Sequence, residues 1–377
     1  MPEMLETLKS LIQPWHKALE SPQQAQEETL RRLLGIYART EYGAKRRAGE
    51  ISSIEEYRQA FPVMTYPDYK PIIEQVMEGE YQMLLSEPPL GWAITRGTTG
   101  QFKFIPMTGI DMEYRGRCGA RGVLNYVLRT GRYHILEGCC MNQTFPSVAG
   151  SMTVGDKEIT YGYSSGLYAR YSEARTPVQL VPRQDELDAI GAGLSAQDWE
   201  RRFELIYQRA RGASVTMLVG VTQTMLQFGL FLKKRYGIYP KDVWQMDPLS
   251  PSSIAGIQYK YKPALKALYG DVDIVEIYGA TEGSFAQQLD ERPYVTPNYD
   301  VFFFEVETGK GIKMLHSLRP GEYGSLIVST PTLPRYRIED LILSFGNNCF
   351  RCIGREKPFA YLRYKLDTMW NWDPWQD

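Results

Sequence analysis

The sequence predicts an α/β fold, with sheets joined by crossover helices and a β-rich subdomain toward the C-terminus. Two observations carry this. Between residues 91 and 300, apolar runs of strand length alternate with helix-length segments, which is the pattern of parallel sheets with crossover helices. From Val301 the texture changes: VFFFEVET, GSLIVST and LILSF follow one another across Gly and Pro turns with no helix between them. A chain of 377 residues has room for two or three domains. The boundaries read as 1–90 for a helical N-terminal layer, 91–300 for an α/β core, 301–357 for the β-rich subdomain and 358–377 for a short Trp-rich tail.

The N-terminal layer rests on helical spacing. Leu5, Leu8, Ile12, Trp15 and Leu19 recur every three or four residues, then Leu30, Leu33, Leu34 and Tyr37, with Gly43 as a stop. Ser53 with Glu56, and Thr65 with Asp68, form capping boxes, Pro67 suits a first turn, and Gly79 closes the second helix. In the core, Gly91 to Thr95 reads as a strand and Asp111 to Arg129 as a helix closed by Gly131. Tyr133 to Leu136, Met217 to Val219 and Ile274 to Tyr278 read as further strands. Helices are expected from about Gln223 to Tyr236 and Pro263 to Tyr269.

Lys and Arg total 43 against 44 Asp and Glu, so no basic excess recommends nucleic acid or an anionic membrane surface. No run of 18 apolar residues is present, and the N-terminus has acids where a signal peptide needs bases. Five cysteines, an odd and sparse set, fit a reducing compartment. The expectation is a cytoplasmic protein of enzyme size.

Several motifs have bland readings that compete well. Gly162-Tyr-Ser164-Ser-Gly166 fits a nucleophile elbow after a strand from Lys157 to Tyr161, but only His316 lies downstream as a base. Gly191-x-Gly193-x-x-Ala196 matches a dinucleotide fingerprint without a preceding buried strand, and Ser195 with Asp198 more simply caps a helix. Cys349-x-x-Cys352 lacks the second ligand pair that zinc needs, so core packing is the simpler reading.

Three segments carry more. In Thr95-Arg-Gly97-Thr98-Thr99-Gly100-Gln-Phe-Lys103, a strand enters a turn with two glycines, adjacent hydroxyls and a lysine. Glycines let backbone N–H groups approach phosphate oxygens and an ammonium offsets their charge, although a flexible Gly/Thr turn also fits. Tyr278-Gly279-Ala280-Thr281-Glu282-Gly283 puts a hydroxyl and a carboxylate at the carboxyl end of a strand, where ligands bind in open α/β sheets. In Pro334-Arg335-Tyr336-Arg337-Ile-Glu-Asp340, with Arg355 beyond, an Asp suits a ribose diol and arginines suit phosphate.

Together these segments resemble the adenylate-forming superfamily of acyl-CoA synthetases, luciferases and peptide-synthetase adenylation domains, whose motifs read Ser-Ser-Gly-Thr-Thr-Gly with a following Lys, Tyr-Gly-x-Thr-Glu, and Tyr-Arg-x-Gly-Asp. The nearer likeness is to the plant auxin-responsive acyl acid amido synthetases and their bacterial relatives. Thr40-Glu-Tyr-Gly43, Pro62-Val-Met-Thr65-Tyr66, Phe104-Ile105-Pro106 and Gly162 to Arg170 look like that family, and the likeness spans about residues 28 to 357.

The resemblance implies the large N-terminal domain of the adenylate-forming fold, with ATP and Mg²⁺ as partners of the reaction. It implies that Gly97, Thr98, Thr99, Gly100 and Lys103 hold the ATP phosphates, that Thr281 donates to the α-phosphate and that Glu282 ligates Mg²⁺. Asp340 would take the ribose hydroxyls with Arg355 at the hinge, while Gly256, Tyr278 and Gly279 would border the base and Val221 and Thr222 the acyl pocket. Lys103, Thr281 and Glu282 form the catalytic set. The implied chemistry is acyl-AMP formation from a carboxylic acid, then transfer to an amine, CoA or a carrier-protein thiol. Arg96 departs from the small hydroxyl residue usual in the loop. The family continues into a lid domain after the hinge, whereas 20 residues follow Lys357 here, so the lid is expected to be missing or lent by another chain. A non-catalytic acyl- or nucleotide-binding protein and a serine hydrolase using Ser164 are the competing expectations.

Overall fold

The computed structural model describes residues 2–96, 102–175 and 178–369, the side chains of residues 2–4 and 96 excepted. Its N-terminal layer follows the apolar spacing. Helices Pro2–Glu20 and Pro22–Tyr37 bury Leu8, Ile12, Trp15, Leu30, Leu33, Leu34 and Tyr37. Thr40 caps Glu41–Ala44 by accepting the Gly43 N–H at 3.0 Å. A Cβ on Gly43 would lie 2.1 Å from the Tyr37 carbonyl oxygen, so this glycine serves close packing. Ser53 accepts the Glu56 N–H, but Glu56 returns its bond to the N–H of Ser52, one residue before the cap. The Thr65–Asp68 box forms as expected, and helix Tyr66–Glu78 ends at Gly79 with φ +112°.

Three sheets follow. The first has strand order Phe102–Met107, Gly91–Arg96, Lys157–Tyr163, Gly150–Val154; only the middle pair is parallel. The second is wholly parallel, in the order Leu180–Val181, Cys139–Asn142, Val215–Val221, Leu249–Ser252. Helices Ala196–Ala210, Thr222–Tyr236 and Lys262–Tyr269 pack with it around Phe203, Met225, Phe228 and Leu265, the crossover architecture that the alternation predicts.

The third sheet has eight strands, all paired antiparallel: Gly311–Met314, Phe303–Thr308, Tyr323–Ser329, Tyr336–Gly346, Cys349–Arg355, Val295–Pro297, Gly283–Gln288 and Ile277–Ala280. It therefore begins well before Val301.

Three local expectations are corrected. The helix expected over Asp111–Arg129 is two, Gly109–Gly119 and Arg121–Thr130; glycines at 116, 119 and 122 weaken a continuous helix across the junction. Tyr133–Glu137 is a 3₁₀ turn and the strand is Cys139–Asn142, because four apolar residues are too few for periodicity to separate the two. The Ile274–Tyr278 run keeps one parallel bridge, Ile274 with Leu249, and its strand proper, Ile277–Ala280, turns back as a hairpin into the antiparallel sheet.

The helical layer and the antiparallel sheet share one core, in which Leu33, Tyr57 and Tyr69 pack with Phe285, Phe302 and Leu326. No helix among the described residues is long and apolar enough to cross a membrane.

Candidate active site

Strand ends from all three sheets converge on a cleft of about 680 Å³. The carboxyl ends of the parallel strands contribute Asn142, Val221 and Ser252, the edge on which ligands sit in open α/β sheets. The first sheet contributes Thr95 and Lys103, and the antiparallel sheet contributes the 276–284 hairpin, Asp340 and Arg355.

Thr281 and Glu282 form the two-residue tip of that hairpin, between Ala280 and Gly283. Gly279 is required here, since a Cβ would lie 2.8 Å from the Gly283 carbonyl oxygen across the turn. The tip is held from outside the hairpin: Arg115 donates to the Thr281 carbonyl at 2.6 Å and, through Nε, to Asp111 at 2.7 Å. Glu282 is buried, and burial pushes its carboxyl above the usual range against the pull of a Tyr336 hydroxyl and the Lys103 charge.

Asp340 is the hub of the opposite wall. Its carboxylate accepts the Tyr278 hydroxyl at 3.0 Å and pairs with Arg355 Nη1 at 3.2 Å; the same guanidinium nitrogen donates to the Ile338 carbonyl at 2.6 Å. Burial still raises its carboxyl, because desolvation outweighs the Arg355 charge. The Tyr278 ring meets Phe350 edge to face with centroids 5.6 Å apart. Lys103 Nζ donates to Glu339 at 3.1 Å. Glu276, two residues before Tyr278, also lines the cleft; burial lifts its carboxyl to about 7.

Of the residues singled out from sequence, Lys103, Tyr278, Gly279, Thr281, Glu282, Asp340, Arg355 and Val221 line this one cleft. Gly97, Thr98, Thr99 and Gly100 lie outside the described residues; Thr95 and Lys103, on the strands either side of them, border the cleft. Thr222 does not line it: its side chain is buried and its hydroxyl donates to the Ser252 carbonyl at 2.9 Å. Gly256 is likewise off the wall, preceding the wide π-helical turn Ile257–Tyr261 at φ +90°, while its neighbour Ala255 lines the cleft. The arginines of the third segment face elsewhere. Arg335 chelates Glu305 in the core and Arg337 pairs with Glu307 and Glu356.

The elbow reading of Ser164 finds no base, since no histidine is among the described lining residues and His316 packs against Tyr299. Cβ atoms on Gly162 and Gly166 would come within 1.9 and 2.1 Å of the Ser147 and Phe145 carbonyl oxygens, so these glycines serve close packing. Cys349 is buried in the strand Cys349–Arg355, as core packing predicts.

Sequence reasoning missed Arg115, Glu276 and Glu339. The Asp111/Arg115 spacing of four on a helix was the available signal for the first, and period-two alternation with Tyr278 for the second. Glu339 had only its place where the Tyr-Arg-x-Gly-Asp motif has glycine.

No cluster of three or more metal-ligating side chains occurs among the described residues. The oxygen donors present suit a hard cation that takes one or two carboxylates and completes its shell with phosphate and water, and Glu282, buried at the hairpin tip on the cleft wall, supplies such a carboxylate.

Comparison with known proteins bears on the fold. Residues 11–187 match the GH3 family N-terminal domain. A jasmonoyl–L-amino acid synthetase of Oryza sativa subsp. japonica is 31% identical over 129 residues, 32% of this chain and 21% of that protein. An indole-3-acetic acid-amido synthetase of Arabidopsis thaliana is 32% identical over 94 residues, 24% of this chain and 16% of that protein. The matched part thus spans about a fifth of the length of these curated relatives. Among solved structures, an acyl acid amido synthetase in complex with 2,4-DB superposes with TM-score 0.76 at 17% identity, over 95% of this chain and 71% of that one. A 2-hydroxyisobutyryl-CoA ligase in complex with 2-HIB-AMP and CoA does so with TM-score 0.59 at 13% identity, over 87% and 74%. Residues 11–187 therefore match the GH3 family N-terminal domain, and the chain has the fold of the acyl acid amido synthetase and of the CoA ligase over most of its length.

Proposed function

We propose that the cleft activates a carboxylic acid with ATP and passes the acyl group to an amine or a thiol. One observation carries this: Lys103, the Thr281–Glu282 tip and the Tyr278–Asp340–Arg355 network, from segments up to 252 residues apart in sequence, meet in one cleft at the carboxyl edge of the parallel sheet. In the first half-reaction a substrate carboxylate oxygen attacks the α-phosphorus, the bond to the β-phosphate oxygen breaks, and pyrophosphate leaves. In the second, the acceptor attacks the acyl carbon, loses its proton and displaces AMP.

Lys103, with residues 97–100, offsets triphosphate charge. Thr281 donates to the α-phosphate, and Asp340 accepts the ribose hydroxyls while Arg355 and Tyr278 keep its carboxylate aimed. Val221 borders the acyl group, and Gly279 lets the backbone approach the nucleotide. Glu282 would hold Mg²⁺, which supplies charge neutralisation on the phosphates when bound. The acid substrate and the acceptor, whether an amine, CoA or a carrier protein, are the partners of this reading; the five free cysteines suit the cytoplasm.

The test is acid-dependent pyrophosphate release from Mg-ATP with hydroxylamine as acyl trap, over a panel of carboxylic acids. Lys103→Ala is expected to cut the rate by about a hundredfold, the scale for losing one charge-stabilising donor. Silence across the panel with ATP still bound supports a binding protein instead. Ester cleavage abolished by Ser164→Ala would overturn the proposal.

A further inference from the structure

Glu339 has a backbone conformation that its residue type disfavours. It sits at φ +67° in the strand Tyr336–Gly346, in the left-handed region where an L side chain crowds its own backbone. Around it the register slips: Arg337 pairs with Ile327 and Leu341 with Ser325, so residues 338–340 face Leu326 alone. Such a bulge re-aims side chains. The side chain so aimed reaches Lys103 Nζ at 3.1 Å; Lys103 lines the cleft, as do Ile338 and Asp340 on either side of Glu339 in the chain. The ammonium also lies 5.7 Å from the Tyr66 ring centroid. A glycine here would adopt the same backbone without strain, so what distinguishes glutamate is its carboxylate.

The pair is also breakable. Its side chains are 25% and 47% exposed, and ion pairs in such surroundings are weak. A bound triphosphate presents several negative charges to the same ammonium. We infer that Glu339 is a positioning residue that holds the Lys103 ammonium in the nucleotide-free cleft and yields it to the triphosphate when ATP binds. This rests on the nucleotide reading above and adds an exchange of partners: the Lys103–Glu339 contact breaks, Lys103 re-pairs with phosphate oxygen, and the Glu339 carboxylate turns to solvent.

Two measurements on the full chain test it. Mass-spectrometric mapping of Lys103 acylation by an amine-reactive ester reads the contact without nucleotide. Calorimetric titration with ATP, in EDTA and with Mg²⁺, reads the exchange. Glu339→Gln should speed Lys103 acylation several-fold and tighten ATP by roughly three- to tenfold under both metal conditions, with less change on added salt. Glu339→Gly, which also removes the backbone strain, should match it, and Glu339→Asp should fall between.

Equal acylation in wild type and Glu339→Gln would overturn the hold on Lys103. Weaker binding of Mg-ATP with metal-free ATP unchanged would make Glu339 a cation ligand and overturn the exchange. ATP bound equally by both proteins refutes the exchange alone, whereas no ATP binding by the wild type refutes the nucleotide reading and the exchange with it.

Discussion

Glu276 offers a measurable consequence of burial. The residue is 8% exposed on the cleft wall and has no ion-pair partner among the described residues. The opposing charge that acts on it, Arg351, donates instead to the Tyr364 hydroxyl and the Pro293 carbonyl. Desolvation therefore dominates and lifts the group from 4.5 to about 7. A carboxyl raised on folding takes up a proton more readily in the native state, so stability is full below pH 4.5, falls as pH rises to about 7, and is flat above that.

A rise of that size corresponds to about 3 kcal/mol, of which about 2.5 kcal/mol falls between pH 5 and pH 8. Glu276→Gln keeps the shape and removes the titration. It also offers a donor to Gln258 Oε1, which is buried without one. Urea melts of both proteins at pH 5 and pH 8 should show the stability difference moving in favour of the Gln variant by about 2.5 kcal/mol. Glu282, Asp340 and Asp111, also raised by burial, are common to both proteins and cancel. A difference constant across pH, or one moving the other way, would refute the argument.

Two further outcomes are expected. Arg115→Met strands Asp111 in the core and frees the Thr281 carbonyl; unfolding should show a loss of about 3–5 kcal/mol, largely recovered by adding Asp111→Asn. Gly162→Ala drives a Cβ into the Ser147 carbonyl and should lower the melting temperature markedly, whereas Ser164→Ala should leave it unchanged, a pair readable by thermal scanning.

The site was legible where chemistry and strand ends coincide in sequence. Lys103, Thr281, Glu282 and Asp340 each stand in a short segment dense in hydroxyl or charged side chains, and folding gathers them. Thr222 and Gly256 were misplaced because a helix start does not reveal which way its first side chains face; the Thr222 hydroxyl satisfies a neighbouring strand. Arg335 and Arg337 read as phosphate ligands by charge, yet their partners Glu305, Glu307 and Glu356 come from other strands and no local pattern announces them. The hairpin at Thr281–Glu282 was hidden for a related reason, since an apolar run does not say whether its partner strand is parallel or antiparallel.

The seam between the N-terminal helices and the antiparallel sheet has a kinetic meaning. Gln26 donates to the Tyr299 and Phe302 carbonyls, 273 and 276 residues away, the Tyr37 hydroxyl bonds Thr330 across 293, and Trp15 Nε1 reaches Pro297 across 282. During synthesis at roughly 5–20 residues per second, those helices wait on the order of ten to sixty seconds for the strands that cover them. Such distant pairings close late and slowly. For that interval Leu30, Leu33 and Tyr37 remain an uncovered apolar face, a natural binding surface for a chaperone at the ribosome exit, and the stretch of biogenesis in which aggregation competes with folding.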